Sequence, residues 1–194
     1  MPHRAFEEVV LPHLDAAFNY ARWLTKSDAD AEDVVQDAAV RALRFFSSLR
    51  NDDARAWLLT IVRNTWYARF SKSGRADHLA VVDDGNDDRA DDRLDPEALV
   101  MQRQTVERVQ RALGELPVDF REVIVLRELE GLSYKEIAAV IGTPIGTVMS
   151  RLHRGRRQLR ELLQDYAEER GLVRSQSGAG DGAGSPAGEA GEDA

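Results

Sequence analysis

On the last long helical stretch of the sequence, Thr147, Ser150, Arg151, Arg154 and Gln158 fall on one helix face, with Arg157 beside them. Short hydroxyls near a helix N-terminus followed by arginines suit hydrogen bonds to base edges first and to phosphates after. That is the chemistry of a helix lying in the major groove of duplex DNA. The plainer reading is a solvated, arginine-rich helix end that favours the helix dipole. What separates the two is whether the neighbouring elements hold that face in the right place.

They are patterned to do so. Ser133 with Glu136 three residues on forms a capping box, and Leu132 with Ile137 occupies the positions of a hydrophobic staple. Gly142 ends that first helix where a left-handed conformation is easiest. Thr143 is the expected cap of a second helix whose first position is Pro144. On this second helix Ile145, Val148, Leu152 and Leu159 form the apolar stripe that packs inward. Two helices, a tight turn and an outward basic face make a helix-turn-helix.

Charge along the chain agrees with a polyanion partner, although the net charge is −8 over 194 residues. From Ala54 to Ala76 every charged residue is positive (Arg55, Arg63, Arg69, Lys72, Arg75). The same holds from Arg151 to Arg160. There is no cysteine, which excludes disulfides, a thiolate nucleophile and cysteine-ligated zinc. The four histidines are scattered singly, so no metal site is expected. No nucleophile–base set or glycine-rich phosphate loop appears, so the chain reads as a non-enzyme without a cofactor. No apolar stretch approaches the roughly 20 residues of a membrane span, and no secretory leader is visible, so the expected place is the cytoplasm without membrane insertion.

The first segment also reads as helices throughout, with apolar residues at helical spacing in Phe6, Val9, Val10, Leu14 and in Val34, Val35, Ala38, Ala42, Phe45, Phe46. The run Asp28 to Asp33 offers an N-cap and first-turn acid to the second of these helices. A third begins near Ala54 and runs through Trp57, Leu58, Ile61 and Val62 to Phe70. The expected architecture is therefore all-α: a helical domain over 1–73, a flexible acidic linker over 74–97, a second helical domain over 98–170 containing the helix-turn-helix, and a disordered tail over 171–194.

The motifs Ala31-Glu-Asp-Val-Val-Gln-Asp-Ala, Ala56-Trp-Leu-Leu-Thr-Ile-Val-Arg-Asn64, Leu116-Pro, Gly131-Leu-Ser-Tyr-Lys-Glu-Ile-Ala and Gly146-Thr-Val-Met-Ser-Arg-Leu-His-Arg-Gly-Arg resemble the extracytoplasmic-function (ECF, group IV) sigma factors, in that family's order and spacing. The resemblance implies a subunit that binds core RNA polymerase and directs it to −35/−10 promoters in a stress or envelope response under anti-sigma control. It implies that Asp33, Gln36 and Asp37 meet the clamp helices of the polymerase largest subunit, and that the second domain meets the flap region. For Asp33, stabilisation of its own helix is an equally good account. The resemblance further implies that Asn51, Arg63, Asn64, Trp66, Tyr67 and Arg69 recognise and open the −10 element, where unstacked bases need planar side chains, amides and a basic track. Thr147, Ser150, Arg151, Arg154 and Arg157 would read the −35 duplex. Trp57, on the apolar stripe with Leu58 and Ile61, is expected in the core.

Two positions depart from the family pattern. Met149 stands where many relatives carry a lysine or arginine, and the pair Trp66-Tyr67 replaces more polar residues. The type of anti-sigma partner stays open, as does any role of the linker's acidity along the RNA exit path. A helix-turn-helix regulator working without polymerase is the competing function. It would ordinarily add a sensing domain with parallel strands, and no strand pattern is visible.

Overall fold

The computed structural model describes residues 2–49, 53–70 and 96–169, and every described element is a helix or turn. Asn51, nearly all of the expected linker and the expected disordered tail lie outside the described residues. The order is α1 (Pro2–Val9), a 3₁₀ turn (Leu11–His13), α2 (Leu14–Thr25), α3 (Asp28–Phe45), a 3₁₀ turn (Phe46–Ser48), α4 (Ala54–Phe70), α5 (Pro96–Glu115), α6 (Val118–Ile124), a π turn (Val125–Leu129), α7 (Tyr134–Ile141) and α8 (Ile145–Glu169). Contacts divide the chain into two units, Met1–Leu163 and Gln164–Ala194, and both helical segments, as far as Leu163 of α8, lie in the first.

Small residues let the N-terminal helices approach closely. Ala17 and Ala21 of α2, Ala31, Ala38 and Ala42 of α3 are fully buried, and Tyr20, Leu24, Val34, Leu58, Leu59 and Val62 fill the space between them. Phe6 of α1 closes one end, edge-on to Phe46 at 5.4 Å. The cap of α3 is Ser27, whose Oγ accepts from the Asp30 N–H at 3.3 Å. This corrects the expectation of a cap within Asp28–Asp33: Asp28 and Asp30 supply the first-turn acid instead.

The C-terminal corner is held by a buried cation. Arg121 donates from Nη1 to the carbonyls of Gly114 (3.0 Å) and Leu116 (3.1 Å), satisfying acceptors that the end of α5 leaves open. Burial pushes its guanidinium down to about 10, with the neighbouring Glu122 working the other way. The capping box forms as expected: the Ser133 N–H donates to Glu136 Oε2 (2.6 Å) and the Glu136 N–H donates to Ser133 Oγ (3.2 Å). Gly142 ends α7 at φ 65. The start of α8 differs from expectation. The Thr143 Oγ1 is buried and makes no hydrogen bond, while the Pro144 carbonyl accepts from Thr147 and Val148, so Pro144 takes the cap position and Ile145 begins the helix. Proline has no N–H to leave unpaired at that junction.

Of the expected stripe on α8, Val148 and Leu152 are buried and Leu159 packs at the margin, whereas Ile145 is 45% exposed. Gly155 is buried where α8 packs on α6. A Cβ there would lie 2.8 Å from Ile124 Cδ1 and 3.2 Å from Phe120 Cβ. Within the first unit the two helical segments also pack on each other, α4 against α7 and α2 against α6 and the π turn.

Candidate nucleic-acid interface

Helix α4 carries the described residues expected at the −10 element, but it presents them unequally. Asn64 is exposed and Tyr67 half-buried. Trp66 is fully buried, lies 4.5 Å edge-on to Tyr67 and 6.4 Å from Phe70, and its indole N–H is unpaired. Placed so, it cannot stack on a base. The expectation that Trp66 contacts DNA is corrected to a core role, because its position on α4 coincides with Leu59, Val62 and Phe70 on the inward face. Trp57, expected in the core, packs partly buried against it.

The arginines of α4 are engaged. Arg63 donates from Nε to Glu122 Oε1 at 2.5 Å and from Nη2 to Oε2 at 3.3 Å, and its guanidinium lies 4.5 Å from the Tyr67 ring centre. Burial works against its charge, but the Glu122 carboxylate outweighs that and raises its pKa. Burial, then Glu122, likewise raises the Tyr67 phenol. Arg69 meets Asp33 at 2.5 Å and Asp37 at 3.5 Å. Two of the acids expected to face polymerase are thus already paired with an arginine expected to face DNA. These pairs are exposed, so each is worth only about 0–1 kcal/mol and is readily exchanged. Gln36 is exposed on α3 beside them.

On α8, Ser150 and Arg154 are exposed and Thr147 is half-buried. The Ser150 hydroxyl donates to the Thr147 carbonyl at 3.0 Å. Arg151 is held by Asp119 of α6 at 3.1 Å. Arg157 is exposed, reaches Glu161 at 3.6 Å, and lines a groove with Tyr134, Met149, Leu152, His153, Arg156 and Arg160. The hydroxyl–arginine face is therefore brought together as the spacing implies, with Arg157 at its edge. Asp119 and Glu122 are the polar partners that sequence reasoning missed; their only signal was acidity among apolar neighbours on a short helix.

The pattern described as sigma-70 region 2 matches residues 9–76, and that described as sigma-70 region 4 matches residues 106–159. The RNA polymerase sigma-H factor of Pseudomonas aeruginosa is 32% identical over 173 residues, covering 86% of this chain and 90% of that protein. The chain belongs to the ECF sigma factors of the sigma-70 family. The ECF RNA polymerase sigma factor SigE of Mycolicibacterium smegmatis is 34% identical over 165 residues, 85% of this chain, and the match spans 64% of SigE. Among solved structures, the sigma factor RpoE in complex with the anti-sigma factor NepR from Bartonella quintana is similar at a TM-score of 0.68. It is 32% identical, with 83% of this chain and 98% of RpoE covered. CnrH in complex with the cytosolic domain of CnrY is similar at a TM-score of 0.59 and 31% identity, with 84% and 90% covered. In sigma-70 terms, α2 to α4 belong to region 2 and α6 to α8 to region 4. Among the described residues no helix is long and apolar enough to cross a membrane.

Proposed function

We propose that this sigma factor, of group IV, works in the cytoplasm by binding core RNA polymerase and directing it to −35/−10 promoters. Asp33, Gln36 and Asp37 of α3 would meet the clamp helices of the largest subunit, and region 4 the flap region. Asn64, Tyr67, Arg63 and Arg69, with Asn51 before them in the sequence, would hold the opened −10 strand, where stacking on a planar side chain and amide hydrogen bonds replace pairing. Thr147, Ser150, Arg151, Arg154 and Arg157 would read the −35 duplex. A single observation carries this reading. One chain holds both a region 2 helix with an exposed amide and basic side chains and a region 4 helix whose hydroxyl–arginine face lies outward. Likeness to RpoE, solved with the anti-sigma factor NepR, supports control by an anti-sigma partner here, in a stress or envelope response.

Transcription from genomic fragments by core polymerase, with and without the chain, tests the proposal. Chain-dependent start sites are expected, and Asn64→Ala should impair strand opening, read by permanganate reactivity of unpaired thymines, more than polymerase binding. Absence of any chain-dependent transcript would overturn it.

A further inference from the structure

Glu122 is the most deeply buried carboxylate described, 1% exposed, and it lies between the two halves of the chain. Its Oε1 accepts from the Tyr20 hydroxyl of α2 at 2.6 Å and from Arg63 Nε of α4 at 2.5 Å, and its Oε2 accepts from Arg63 Nη2 at 3.3 Å. Glu130, also buried, pairs with Arg55 at the other end of α4. Glu136 of α7 feels Arg55 as well. Each basic partner here is on the helix assigned to opened DNA, and each carboxylate is on region 4. Region 4 thus offers α4 a row of anions in place of phosphates.

A buried carboxylate is costly unless its partners are complete, because it gives up hydration that only good geometry returns. Glu122 has them only while the halves are together, since both Tyr20 and Arg63 come from region 2. Separation would return all three groups to water. Docked, the Arg63 guanidinium is taken up by Glu122 and held 4.5 Å from the centre of the half-buried Tyr67 ring, so that it covers that ring.

We propose that Glu122 is an intramolecular latch: in the free chain it holds region 4 on α4 and masks the single-strand-binding side chains Arg63 and Tyr67, so that opening of the latch precedes capture of the −10 strand. The latch rests on the sigma reading of α4 given above.

The test uses the whole 194-residue chain, whose sequence contains no cysteine. Spin labels on Arg41→Cys of α3 and Ala139→Cys of α7, both exposed positions, report the separation of the halves. A fluorescein-labelled oligo-dT of about 20 nucleotides probes the strand-binding surface. The unmodified latch should give one narrow distance distribution and weak oligo-dT binding. Glu122→Gln keeps the shape but not the charge, and should shift the closed–open balance by at least about a hundredfold, the lower end of the scale for breaking one partner of a buried pair. A broad, longer distance component should appear, with oligo-dT binding at least about tenfold tighter because the competent fraction rises. Arg63→Ala added to Glu122→Gln should abolish most of that gain. Tyr20→Phe, which removes one donor and leaves the packing, should release the halves in the same direction but less.

An unchanged distance distribution in folded Glu122→Gln chain overturns the latch. Released halves without tighter oligo-dT binding overturn the masking. In either case promoter-dependent transcription with core polymerase persists, so the sigma reading still stands. No oligo-dT binding by any variant together with no transcript would sink that reading and the latch with it.

Discussion

Replacing Arg154 by alanine should remove close to one counterion from the salt dependence of duplex binding. Arg154 is exposed on the outward face of α8, and no ion pair involves it among the described residues. Its charge is therefore fully available to a phosphate. Each neutralised phosphate contributes roughly 0.9 to the slope of log affinity against log salt. Between about 50 and 200 mM salt the unmodified chain should then lose about 3.5-fold more affinity than the variant. Arg151 behaves differently. It is half-buried and held 3.1 Å from Asp119, so part of its charge is already spent. Arg151→Ala should change the slope less than Arg154→Ala yet weaken binding at least as much, because Asp119 is left facing the DNA without its partner. Asp119→Asn should tighten binding and steepen the slope. Fluorescence anisotropy of a roughly 30-base-pair mixed-sequence duplex across that salt range measures all three, since the phosphate contribution is independent of sequence. An Arg154→Ala chain with the original slope would place that arginine off the DNA and refute the assignment of the recognition face.

Three further outcomes are expected. Gly155→Ala should gain about 1 kcal/mol of helix propensity but lose about 1–3 kcal/mol to overlap with Ile124 and Phe120. Urea titration should therefore show net destabilisation that Ile124→Val relieves, and simple stabilisation would mean that α6 and α8 are farther apart. Trp66→Ala should cost about 3–5 kcal/mol in the same assay, the scale for emptying a packed aromatic site; a loss under about 1 kcal/mol would return Trp66 to the surface. Ser133→Ala should cost about 1 kcal/mol by removing the cap of α7. Hydrogen bonds from Ser133 hold the Glu136 carboxyl below its usual range, so the stability it adds is present above the ordinary glutamate pKa of about 4.3 and is lost as pH falls through the lower folded value. The stability gap between the unmodified chain and Glu136→Ala should close on acidification, and a gap constant with pH would rule out the charged cap.

The sequence alone determined the helices, their capping at Ser133 and Gly142, and the hydroxyl–arginine face of α8. Those features rest on local causes: 3.6-residue periodicity, reciprocal cap hydrogen bonds and a residue that tolerates positive φ. Where two local choices compete, the sequence could not choose between them. Ser27 and Asp28 both suit an N-cap, and Thr143 and Pro144 both suit the junction before α8. Only backbone geometry set by packing selected Ser27 and Pro144.

Contacts distant in sequence were decided by tertiary structure. Trp66 and Asn64 are two residues apart on one helix, and both types suit contact with bases. The side of α4 that meets the core buries the first and leaves the second outside. Arg63 and Glu122 lie 59 residues apart, and Tyr20 and Glu122 lie 102 apart. No periodicity links such positions, because the pairing arises only when the two halves close around a carboxylate that neither half could bury by itself.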